Sequence, residues 1–159
     1  MANELYKGDA VRNVALGLRV EKTAISLADI DLFTVVGECL ITLLYGIVTG
    51  VGDGGATTIK LNEKASSIDL CAATTVTSDA VGEVYVLIGD PTLILGGTGA
   101  VPTLKVAGFL AAFPLNPVIF DGQAGLILEL TQTGADATHA VKWVLHYIPL
   151  EDGASIVAA

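Results

Sequence analysis

One feature restricts the fold of this chain more than any other. From Val14 onward, short apolar runs alternate with clusters of Gly, Asp, Asn and Pro at intervals of roughly ten residues. No segment sustains an apolar period of 3.6 with helix caps. The pattern predicts an all-β domain, a sandwich, jelly roll or barrel. Strands are expected near 14–20, 32–36, 38–49, 56–61, 68–76, 81–88, 92–95, 103–108, 117–120, 124–132 and 139–149. Residues 1–13 are polar and irregular and are read as an N-terminal arm. Residues 14–159 form the β domain, because no repeat, low-complexity tract or linker divides them.

Two strands carry the clearest alternation. In Glu38–Thr49, ECLITLLYGIVT, Cys39, Ile41, Leu43, Tyr45 and Ile47 share one face, and Leu40, Leu44 and Val48 share the other. A strand apolar on both faces is central or is covered by a partner. In His139–Pro149, HAVKWVLHYIP, Val141, Trp143, Leu145 and Tyr147 alternate with Lys142, Val144, His146 and Ile148. That period of two marks a half-buried strand.

Hydrophobic residues make up 52% of the 159 residues and charged residues only 16%, an apolar balance for a soluble domain. The most apolar stretch, Val106–Phe120, is interrupted by Pro114 and Pro117, which excludes a spanning helix of about 20 residues. Met1–Asp9 has no apolar core of a signal peptide, so synthesis and folding in a cytoplasm are expected. The formal net charge is −9 with eight scattered Lys and Arg, which argues against nucleic acid as a partner. Neither nucleic acid nor membrane is expected to bind. Between Pro91 and Phe120 the only charge is Lys105. That segment is either a meander folded on the core or a contact surface between subunits.

No group of residues carries a catalytic, cofactor or metal motif, and none of those sites is assigned. Gly50–Gly55, GVGDGG, matches G-x-G-x-x-G, but the β-branched ATTIKL (56–61) follows it instead of a helix. Dinucleotide binding needs that helix, so the glycines are read as a hairpin loop. His139 and His146 point to opposite faces of a strand and are read as surface or interface side chains. Ser26, Ser66, Ser67, Ser78 and Ser155 lack a nucleophile elbow. Asp29 and Asp31 are read as a solvated turn, and Glu83 and Glu129 as solvent-facing or inter-subunit carboxylates. Cys39 and Cys71 are read as buried free thiols, a disulfide being the alternative. Trp143, Tyr45, Tyr85 and Tyr147 are too dispersed for a base-stacking platform and are read as core or interface aromatics.

The order of several segments resembles a known class. MANELYKG, LFTVVGECLITLLYGIVT, TTIKL, DLCAATTV and the terminal VKWVLHYIPLEDGASIVAA are similar to the small head decoration, auxiliary or cement proteins of tailed bacteriophages. The resemblance spans most of the chain outside roughly 90–120 and rests on segment order, with no invariant catalytic motif. It implies a β-rich virion protein on the capsid exterior that clamps the major capsid protein lattice, with copies of itself in a homotrimer. It also implies that the arm and Val11–Val20 touch the capsid or a neighbouring copy. Two other roles fit the same residues: another small virion component, such as a head-fibre base or tail-associated protein, or a soluble carbohydrate-binding β-barrel.

Overall fold

The computed structural model describes residues 16–87, 96–97, 118–122 and 125–159. These form two six-stranded antiparallel sheets that face each other as an open sandwich. The strands are β1 (Leu18–Ile25), β2 (Ile30–Val36), β3 (Glu38–Gly50), β4 (Thr58–Glu63), β5 (Ile68–Asp69), β6 (Thr74–Thr75), β7 (Val84–Val86), β8 (Gly96–Gly97), β9 (Val118–Asp121), β10 (Leu126–Thr133), β11 (Ala140–Pro149) and β12 (Ser155–Ala158). One sheet, A, runs β1-β11-β3-β7-β8, with β9 also on β3. The other, B, runs β12-β2-β10-β4-β5, with β6 also on β4.

The pairing is nested. β1 pairs with β11, β2 with β10, β3 with β9, and β4 with β5 and β6. A chain folded back on itself in this way and wrapped across two sheets has jelly-roll order. The chain crosses between sheets repeatedly at its two ends: β1, β3 and β11 lie in A and β2, β4, β10 and β12 in B, while β4–β6 stay in B and β7–β9 in A.

The core lies between the sheets. Cys39, Ile41, Leu44 and Val48 of β3 and Val141, Trp143, Leu145 and Tyr147 of β11 face Leu32, Val35, Ile59, Leu61, Leu128 and Leu130 of sheet B. Strict alternation breaks inside β3 because the register with β11 shifts at His146/Tyr147. A β-bulge of this kind re-aims the side chains that follow it, so Leu44, not Leu43, is the buried partner of Ile41. Gly46 is inward-facing because a Cβ there would meet Val141 Cγ1 at 2.6 Å and the Trp143 ring at 3.0 Å.

The expected strands at 32–36, 38–49, 56–61, 117–120, 124–132 and 139–149 coincide closely with β2, β3, β4, β9, β10 and β11. The expected strand at 14–20 is displaced to Leu18–Ile25, and the run 68–76 holds two short strands, β5 and β6. β12 was not anticipated. The expected strands at 92–95 and 103–108, the arm 1–13 and most of the charge-poor segment 91–120 lie outside the described residues.

The glycine loop is corrected in one respect. The β-strand β4 follows it, as the β-branched residues require. It is not a hairpin, however, because β3 and β4 do not pair and belong to different sheets. Gly52 N–H donates to Asp79 O at 3.2 Å and Asp53 N–H donates to Asp136 Oδ2 at 2.9 Å. These bonds hold the loop across the end of the sandwich.

Candidate functional site

The densest cluster of reactive side chains lies inside the protein, where Ser26, Asp79, Tyr85, Asp136 and His139 meet. The register of β1 on β11 places Ile25 opposite Ala140, so Ser26 falls beside His139. Ser26 N–H donates to His139 O at 2.9 Å, and Asp136 N–H donates to Ser26 O at 2.7 Å. The side chains then form a chain. Ser26 Oγ lies 2.7 Å from His139 Nδ1, His139 Nε2 lies 3.3 Å from the Tyr85 hydroxyl, and that hydroxyl donates to Asp79 Oδ2. One proton arrangement satisfies every member: Ser26 donates to Nδ1, neutral His139 donates from Nε2 to Tyr85, and Tyr85 donates to Asp79. This tautomer is assigned from the bonding pattern. Burial lowers the His139 pKa and outweighs the opposing pull of Asp79 and Asp136, which favours the same neutral ring.

Asp136 anchors the cluster from the backbone side. Its Oδ1 accepts from Thr138 N–H at 2.8 Å, Thr138 Oγ1 at 2.8 Å and His139 N–H at 2.9 Å. This is an Asx-type turn written in the local sequence Asp136-Ala137-Thr138. Burial pushes the Asp136 pKa upward, but the amides of Asp53, His139 and Thr138 and the Thr138 hydroxyl hold the carboxyl well below the usual carboxylate range.

Ser26 and His139 have the spacing of a nucleophile and base, yet their surroundings give them a different role. Ser26 is 1% exposed and His139 is 0% exposed. The Asp136 carboxylate bonds the backbone N–H of His139, not its ring. The ring is fully used by Ser26 and Tyr85, and Tyr85 stacks on Trp143 with centroids 6.3 Å apart. A substrate carbonyl has no approach to Ser26 Oγ in this arrangement, whereas nucleophilic catalysis needs the reacting atoms within hydrogen-bond reach of both groups. The cluster is a polar clasp that joins β1, β11, β7 and two end loops.

The two histidines lie on opposite sides of sheet A, as their spacing requires. His139 contacts Tyr85 on the core side, and His146 stacks on Tyr45 at 6.4 Å on the outward side. The reading of both as surface or interface side chains is corrected, since both histidines are buried within the chain itself, as is Val144, the outward neighbour of His146. Glu83 is corrected as well: it is buried just before β7. Glu129 lies on β10, accepts from Asn62 Nδ2 at 3.2 Å and sits 3.8 Å from Lys64 Nζ. Glu83 and Glu129 belong to different sheets and do not form a carboxylate pair. Asp29 lies in the turn and accepts from Gln132 N–H, but the turn reading of Asp31 is corrected: it lies on β2, opposite Glu129, and pairs with Lys64 at 2.7 Å. Cys39 and Cys71 are free and buried, and burial raises both thiol pKa values, that of Cys71 to about 11. Among the described residues, no group of three or more His, Cys, Asp or Glu side chains is placed to hold a metal.

The exposed apolar side chains are distributed unevenly. On the outward face of sheet A, Ile119 and Ile148 flank Leu40 near the turn from β2 to β3, with Leu150 just past β11, whereas the exposed Val36 and Val157 lie on the outward face of sheet B. Register fixes this grouping: Ile148 pairs with Leu40, which pairs with Ile119 on its other side, and Leu150 N–H bonds Glu38 O. Ile119 is 59% exposed and Leu150 is 46% exposed. The chain enters β1 at this same end through Gly17, whose φ is +84° and whose Cβ would clash with the Tyr147 carbonyl. Leu16 O accepts from Thr42 Oγ1 at 2.5 Å. A smaller group, Ile25, Leu27, Val51 and Val81, marks the opposite end.

No protein-family model, curated protein or solved structure matches the chain.

Proposed function

We propose that this protein is a virion structural component, a capsid decoration or cement protein that binds and stabilises the head lattice of a tailed phage. Its partners are the major capsid protein and further copies of itself, with a homotrimer as the assembled form and the capsid exterior as its location. The observation that carries this reading is the apolar end of sheet A, where Ile148, Leu40 and Ile119 lie side by side across three strands with Leu150 beyond them. Contiguous exposed apolar surface marks a protein contact more often than a free surface. β1 starts at this same end, and a polar arm preceding it that orders on a partner would add contact area there. The smaller apolar group at the opposite end supplies a second face, as a subunit that touches both its lattice and its own copies requires.

Two further points support the reading. The clasp around His139 uses the reactive side chains for internal bonding. Jelly-roll order is shared by viral capsid and lectin domains, although a fold alone does not assign a function. The experiment is a pair of charge insertions, Ile119→Glu and Ile148→Glu, in the full chain. Both positions are exposed, so stability should change by no more than about 0.5 kcal/mol. Binding to phage heads should be lost. Full retention of binding in the double variant would remove the apolar end from the account.

A further inference from the structure

The apolar end of sheet A carries an acidic rim on the same face. Side chains alternate along a strand, so Glu38 shares the outward face of β3 with Leu40, and Asp121 shares that of β9 with Ile119. Glu38 stands directly opposite Asp121, next to the Leu40–Ile119 pair. Leu150 N–H bonds Glu38 O at 2.9 Å, which sets Leu150 beside Glu38 just as Ile148 is set beside Leu40. Glu151 and Asp152, both exposed, follow at once in the turn to β12. The face thus has an apolar row, Ile148, Leu40 and Ile119, and beyond it a row that begins with Leu150 and continues in carboxylates.

Among the described residues, no Lys or Arg pairs with Glu38, Glu151 or Asp152. Arg19 and Lys142 are engaged with Glu21, Lys60 with Asp69 and Lys64 with Asp31, and Lys22 reaches the Ala159 carbonyl. Glu151 Oε1 accepts instead from Glu38 N–H at 3.0 Å. That bond ties the Glu151 carboxylate to the start of β3, so the acidic rim is held against the apolar row.

Charge selects the occupant of this face. A second copy docked by the same patch across a two-fold axis would bring Glu38, Glu151 and Asp152 near their own equivalents, in a chain whose formal net charge is −9. Like charges set together in an interface count against that partner. Another face of a second copy fares no better, because the described cations are already engaged within the chain. Nucleic acid and an anionic lipid surface are repelled for the same reason. A protein surface with an apolar ridge flanked by Lys or Arg meets both rows at once: the ridge covers Ile148, Leu40 and Ile119, and its cations face the rim. We propose that the apolar end of sheet A docks a basic, apolar surface of a different protein chain and rejects further copies of its own. This docking chemistry rests on the reading of the end as the lattice contact, and it leaves self-association to other faces of the sandwich.

The test is a titration of the isotope-labelled full chain, followed by NMR, with two peptide probes that alternate leucine with lysine or leucine with glutamate. The lysine probe should give saturable shifts at the methyl groups of Ile119, Ile148 and Leu150, and the glutamate probe should give none. Raising salt from about 0.05 M to about 0.5 M, which shortens the screening length about threefold, should weaken the lysine probe about tenfold. The triple variant Glu38→Gln, Glu151→Gln, Asp152→Asn should weaken it about tenfold as well, since each exposed ion pair contributes a factor of about two. If that variant fails to fold, Asp152→Asn alone should weaken binding about twofold. No saturation with the lysine probe, equal binding of both probes, an affinity that ignores salt and these charge changes, or a parent chain that self-associates until Ile119→Glu releases it would each overturn the assignment. Phage heads separate the basic partner from the decoration role. Heads bound equally by parent and triple variant, yet lost in the Ile119→Glu, Ile148→Glu variant, overturn the basic partner and keep the role. Heads left bare while the lysine probe binds overturn the role and keep the basic partner.

Discussion

Replacing Asp136 with Asn changes one oxygen of the clasp into an NH₂ group at constant size. In the native chain Oδ1 accepts three hydrogen bonds and Oδ2 accepts a fourth from Asp53 N–H. The variant keeps its carbonyl toward Thr138 and His139, and its NH₂ then confronts the Asp53 amide, donor against donor. The lost charge-assisted bond contributes about 1.5–3 kcal/mol. The three bonds that remain become neutral and weaken, each by a fraction of that amount. Asp53 is exposed, so water relieves part of its unmet N–H. The sum is a loss of about 3 kcal/mol. With a urea slope of about 2 kcal/mol/M, the unfolding midpoint should fall by about 1.5 M. The pH dependence provides an internal check. The native carboxyl is held well below the usual range, while an unfolded Asp titrates near about 3.9. The Asp136 contribution is therefore present above about pH 4 and is lost as pH falls below it toward the depressed native value. The stability gap between parent and variant should narrow over that acid range. A midpoint change under about 0.25 M, or a gap that is independent of pH, would refute the clasp as described.

Other outcomes follow from neighbouring features. His139 is held neutral by burial, so the unfolded chain takes up a proton that the native ring resists. Stability should fall as pH drops below about 6.5, and His139→Gln should remove that part of the slope in urea titrations across pH. Gly46→Ala places a methyl against Val141 and Trp143, and overpacking of this kind should cost about 1–3 kcal/mol by thermal unfolding. Leu61→Ala, in a side chain that is fully buried, should cost about 2–5 kcal/mol. Removing residues 1–13 should weaken attachment to phage heads while leaving the circular-dichroism spectrum and melting transition unchanged; an unfolded truncation would place the arm in the core.

The β class was legible because β3, β10 and β11 carry period-two patterns over much of their length, and their bounds follow from the turn residues around them. β1 was displaced because its residues, LRVEKTAI, alternate weakly: it is an edge strand with Arg19, Glu21 and Lys22 along it, charges that blunt an open edge. β12 is four residues long, too short to stand out. The pairing of distant strands was not legible. Jelly-roll order brings Ser26 beside His139, 113 residues away, and carries the glycine loop between sheets. For the clasp, the local signal was Asp136-Ala137-Thr138, a turn motif that foretells an engaged carboxylate but not its partners. On the outer face of sheet B, the alternation of Thr58, Lys60 and Asn62 and of Glu129, Thr131 and Thr133 shows two polar strand faces. Only the register reveals that they lie side by side.

The most direct test of the proposed role is co-sedimentation of the purified chain with tailed-phage heads, together with sedimentation velocity of the chain alone. The account predicts saturable binding at a fixed number of copies per head, trimers in free solution, and loss of head binding in the Ile119→Glu, Ile148→Glu double variant. A chain that stays monomeric at micromolar concentration and leaves the heads bare would contradict it.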